Sequence, residues 1–105
     1  MASSRLLLVA LGLLASVHAV AVVWCITGGL DARASDMAAF RAVADPLRSK
    51  GEVSEVGMST LERNVEKRSG VHATVMFTYA AVHAITAIAL FAGVAALRRA
   101  AKPGA

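Results

Sequence analysis

The stretch Val71-His72-Ala73-Thr74-Val75-Met76-Phe77-Thr78-Tyr79-Ala80-Ala81-Val82-His83-Ala84-Ile85-Thr86-Ala87-Ile88-Ala89-Leu90-Phe91-Ala92-Gly93-Val94-Ala95-Ala96-Leu97 contains no Asp, Glu, Lys or Arg and stops at Arg98-Arg99. At 1.5 Å per residue, this run forms a helix about 40 Å long, more than the roughly 30 Å of hydrocarbon in a bilayer. It reads as a membrane span. A second apolar run, Leu6 to Thr27, reaches about 33 Å by the same rise. The pair predicts an all-α fold, a two-span transmembrane helical hairpin.

Composition agrees. Of 105 residues, 57% are hydrophobic, 17% charged and 5% aromatic, and the apolar residues are gathered in two blocks instead of recurring at core spacing. The chain divides as one membrane unit: span 6–27, a polar connection 28–70, span 71–97 and a basic tail 98–105. All seven acids (Asp31, Asp36, Asp45, Glu52, Glu55, Glu62, Glu66) lie in the connection, balanced there by Arg33, Arg41, Arg48, Lys50, Arg63, Lys67 and Arg68. The net charge of +4 therefore sits at the ends, on Arg5, Arg98, Arg99 and Lys102. That placement suits lipid headgroups and gives no basic stripe for nucleic acid. Cys25 is the only cysteine, so no disulfide forms within the chain.

Val17-His18-Ala19 would pass as a signal-peptide cleavage site, but the apolar run continues through Ile26 and outlasts a signal core, so an uncleaved span is expected. Trp24 sits where an interfacial indole belongs. Gly28-Gly29 is expected to end the first span. In the connection, Ser35-Asp36 reads as the cap of a short amphipathic helix carrying Met37, Phe40 and Leu47, with Pro46 limiting it. Residues 49–58 read as turn-like, and Ser59-Thr60-Leu61-Glu62 matches a capping box that opens a helix through Arg68 and on into the second span. The connection is thus partly helical. The density of Lys and Arg at the ends predicts both termini in the cytoplasm of a bacterial inner membrane.

Antiparallel spans set His18 and His83 at about 18 and 21 Å from the ends of their helices, which are matching depths. His72, Met76, Tyr79, His83 and Thr86 fall on one stripe, since eleven residues return to within about 20° of three turns. Cys25 follows His18 by seven residues on the same face. Ionisable side chains in hydrocarbon are functional candidates. His18 and His83 are accordingly the candidate cofactor ligands, for haem b, while Cys25, Met76 and His72 are the candidate metal set, for copper. The competing reading, ranked first, has no cofactor and uses neutral imidazoles to hold helices together. Small-residue pairs Gly12 and Ser16, Ala80 and Ala84, and Ala89 and Gly93 permit close helix approach and are placed off the histidine faces.

No phosphate loop, zinc spacing or intramembrane acid is present, so no enzyme activity is expected. The leading expectation is a small accessory integral-membrane subunit that packs against a larger complex, respiratory or photosynthetic, or against itself. The alternatives are a haem- or copper-binding electron-transfer hairpin, a holin-like pore former and a sensor input module.

Overall fold

The computed structural model describes residues 2–102 and is all-helical among them, with α1 spanning Ala2–Ser49 and α2 spanning Glu55–Ala100. Both helices are long and apolar enough to cross a membrane. Only 6% of the most apolar stretch of α1 and 17% of that of α2 are buried, so neither stretch is enclosed by the rest of the chain.

Three boundaries differ from those the sequence suggests. Gly28-Gly29 does not end α1, and Ser35-Asp36 does not start a new helix, because both pairs lie inside α1. A glycine in a helix interior costs about 1 kcal/mol relative to Ala, which the surrounding helix-forming residues absorb. Packing also gives these glycines a use: a Cβ on Gly29 would stand 2.7 Å from the Phe77 ring, and one on Gly28 would stand 2.6 Å from the Met76 methyl. They are sockets for side chains of α2, not stops. Pro46 lies within α1, in its closing turns.

The helix ends three residues later in a Schellman motif. Gly51 takes the left-handed conformation (φ 69°), its N–H donates to the Arg48 carbonyl at 3.0 Å, and the Glu52 N–H donates to the Leu47 carbonyl at 3.1 Å. Those two bonds satisfy carbonyls that the helix end would leave open. α2 begins at Glu55, ahead of the expected capping box at Ser59. The actual cap is Ser54, whose Oγ accepts from the Gly57 N–H at 3.0 Å, while Glu55 places a negative charge at the positive end of the helix dipole. Arg48 grips Glu55 through two guanidinium nitrogens, at 3.1 and 3.0 Å. Being exposed, that pair contributes under about 1 kcal/mol.

The chain divides into two compact units. Unit 1 comprises Met1–Cys25 with Thr78–Ala105, and unit 2 comprises Ile26–Phe77. In unit 1 the inward positions are Ala15, His18, Val22 and Cys25 on α1, and Ala80, His83, Ala87, Leu90 and Val94 on α2. They alternate at three and four residues, the spacing of knobs-into-holes packing. The most buried members are small: Ala15 is 0% exposed, Ala80 5% and Ala87 6%. Most of the large apolar side chains, among them Leu6, Leu13, Val17, Val20, Ile85, Ile88 and Phe91, point outward. Unit 2 repeats the seam with Ala32, Ala44, Met58 and Ser69 buried, and the Ser69 hydroxyl donates to the Glu66 carbonyl at 2.9 Å. Its outside carries ion pairs, including Arg33 with Glu66 at 2.8 Å.

Candidate functional site

Unit 1 contains no Asp or Glu, and its only histidines are His18 and His83. The seam brings them together: Nδ1 of His18 lies 2.8 Å from Nδ1 of His83, with ring centroids 5.0 Å apart and planes inclined at 38°. Both rings are part-buried. A bond between two Nδ1 atoms has one chemical meaning. One ring donates an N–H and the other accepts with a lone pair, so the accepting ring carries its proton on Nε2. Two doubly protonated rings would have no acceptor between them. The pair is therefore a self-satisfied hydrogen bond that holds α1 to α2 across an otherwise apolar seam.

That geometry does not fit a haem between the two histidines of one chain. Two imidazole nitrogens on opposite sides of one metal ion stand about 4 Å apart, twice a bond of roughly 2 Å, whereas these touch directly. The alanines at 15, 80 and 87 bring the helices too close to admit a porphyrin. The members of the candidate copper set have separate surroundings within their own units. Cys25 is buried in unit 1, seven residues or about 10.5 Å of helix beyond His18. The Met76 methyl sits at Gly28 in unit 2. His72, also in unit 2, directs Nδ1 to Asp36 Oδ2 at 3.3 Å. Among the described residues no group of three or more His, Cys, Asp or Glu side chains is placed to hold a metal ion.

The stripe from His72 to Thr86 is also redistributed. Tyr79 is 55% exposed and Ala80 takes the inward place, because the seam runs along the side of His83 that carries Ala80 and Ala87 and not along the side that carries Tyr79. Thr86 turns its hydroxyl to the Val82 carbonyl at 2.9 Å. Of the small-residue pairs, Ala80 and Ala84 lie inward beside His83, on the histidine face and not off it. Ser16 and Ala89 are exposed, Ser16 donating to the Gly12 carbonyl at 2.9 Å, and a Cβ on Gly12 or Gly93 would meet nothing within 4 Å. The structure adds one residue that the sequence places at a helix cap, Asp36, which is the partner of His72. Thirty-six residues separate the two, and only the register of α1 against α2 could have revealed the contact.

No family model, no curated protein and no solved structure matches the chain.

Proposed function

We propose that the chain is a small accessory subunit of a larger integral-membrane assembly, crossing the bilayer twice and serving to pack and brace. One observation carries this reading: unit 1 joins its helices through alanines and one histidine pair, and turns most of its large apolar side chains outward, from Leu6 to Phe91. In hydrocarbon, helices associate through close approach of small residues and through interhelical hydrogen bonds. The seam supplies both, and the outward Leu, Val, Ile and Phe suit lipid and neighbouring helices. Gly12, Ser16, Ala89 and Gly93 leave open positions where another helix can approach closely. The histidine bond supports a structural role over a redox one, since each ring already has its partner.

The test is fractionation followed by gentle extraction. The chain is expected to stay in membranes through an alkaline carbonate wash and to migrate in mild detergent within a complex far heavier than its own 10.8 kDa. Release by carbonate would remove the membrane reading. Migration as a bare chain or a bare oligomer of itself would remove the accessory-subunit reading.

A further inference from the structure

Unit 2 is two-sided. One side carries Arg33, Arg41, Glu62, Arg63 and Glu66. The other is a groove of about 540 Å³ whose walls include Phe40, Val43 and Leu47 from α1 and Met58, Leu61 and Val65 from α2. Val43 is 68% exposed and Leu61 45%. A helical layer with one apolar side reaches a stable arrangement by burying that side against another layer. The charges at one end of the groove say which layer fits. Asp36 on α1 and Arg68 on α2 both line that end, and the register that sets Asp36 against His72 puts Arg68 within about one turn of the same height. Asp36 uses Oδ2 toward His72, leaving Oδ1 for a second donor, and Arg68 has no ion-pair partner among the described residues.

We infer that this groove is where a second copy of the chain docks, face to face, about a two-fold axis running along the helices. Such an axis lays α1 of each copy over α2 of the other, so that each Asp36 faces the other copy's Arg68 and the apolar walls close into a four-helix layer pair. It also keeps both copies pointing the same way. The inference rests on the membrane reading at this one step, because two chains inserted with the same topology have no other relative direction. An opposite-sense arrangement would place the charged ends at opposite extremes of the groove and leave both pairs unmade.

The experiment uses full-length chain, co-expressed with two different tags and extracted in mild detergent. The wild-type chains are expected to co-purify. Asp36→Arg alone sets two guanidinium groups against each other, and Arg68→Asp alone sets two carboxylates together, so each homodimer is expected to weaken about tenfold or more. Mixing the Asp36→Arg chain with the Arg68→Asp chain removes the mismatch from both contacts, because the two introduced side chains then face each other with opposite charge while the native Arg68 of the first chain faces the native Asp36 of the second, and is expected to restore co-purification above either variant alone. Disulfide trapping reads the same contact without charge reversal. In a Cys25→Ser background, an Asp36→Cys chain is expected to cross-link to an Arg68→Cys chain, and not to another Asp36→Cys chain, because only the first pair falls within the roughly 7 Å Cα separation a disulfide tolerates. Wild-type chains that fail to co-purify, a charge-swapped mixture no better than either variant while both keep wild-type helicity, or equal trapping of the two cysteine pairings would each overturn the inference. A foreign polypeptide cross-linking to Arg68→Cys in place of the second copy would overturn it too. Membrane retention is scored separately by the carbonate wash, so failure of the dimer and failure of the membrane reading give different results.

Discussion

Units 1 and 2 are each built on a seam of small residues and differ in what surrounds it. Both bury small residues along it, Ala15, Ala80 and Ala87 in one, Ala32, Ala44 and Ser69 in the other. Around that seam, unit 1 has no acidic side chain, whereas unit 2 holds all seven. An alanine seam removes little apolar area from water, on the order of 0.8 kcal/mol per buried methyl-sized group. In water that is a weak bond between helices, and unit 2 adds ion pairs, a capped turn and an apolar groove with room for a further layer. In unit 1 the same alanines sit between faces of Leu, Val, Ile and Phe, and the polar contact across the seam is the histidine bond. The contrast shows that the inside of a helix pair can be nearly constant while its outside changes from apolar to charged.

The contrast can be broken most forcefully at its tightest point. Replacing Ala15 by Leu inserts a branched side chain where there is no exposed surface, and is expected to cost about 3 kcal/mol, the upper range for overpacking. The same change at the outward Ala10 is expected to cost almost nothing. Reversible unfolding in mixed micelles, followed by circular dichroism, measures both, and equal losses at the two positions would dissolve the distinction between seam and surface.

Next in size is the histidine bond. His18→Leu leaves His83 with an unpartnered Nδ1 at a part-buried site, for an expected loss of about 2 kcal/mol. His18→Leu with His83→Leu removes the orphan, so the double variant is expected to be more stable than either single one. Strict additivity in that cycle would mean that the two rings do not interact.

The smallest effect belongs to unit 2. Arg33 and Glu66 are 2.8 Å apart, but their side chains are 75% and 48% exposed, so Arg33→Ala is expected to cost under about 1 kcal/mol. Raising the salt from about 0.05 to about 0.5 M, which shortens the screening length severalfold, should shrink even that difference. The histidine cycle should be insensitive to the same change, and a shared salt dependence would erase the difference in surroundings between the two units.

Much of this was legible in the chain alone. The charge-free run from Val71 to Leu97, with its counterpart from Leu6, implies two long apolar helices, since hydrocarbon-length apolarity has few other structural uses. The matching depths of His18 and His83 were countable from helix rise, and the helical leaning of the connection was visible in Phe40, Leu47 and Leu61. The breaks between helices were not. Gly28-Gly29 has the local signature of a helix end, and Ser59 to Glu62 that of a helix start. Local signatures are worth about 1 kcal/mol each, and contacts elsewhere outweigh them: Phe77 against Gly29, Met76 against Gly28, Ser54 supplying an earlier cap.

Local chemistry and hydropathy, which act on each residue whatever its distant neighbours, are what the sequence determined by itself: the helical class, the two apolar runs and the segregation of acids from them. What only the tertiary structure decided is register. Which nitrogen of His18 meets His83, that His72 finds Asp36, and that Asp36 and Arg68 share one end of a groove all depend on how one helix slides and rotates against the other. A shift of one residue turns a side chain by about 100°, so no count along a single helix supplies that information.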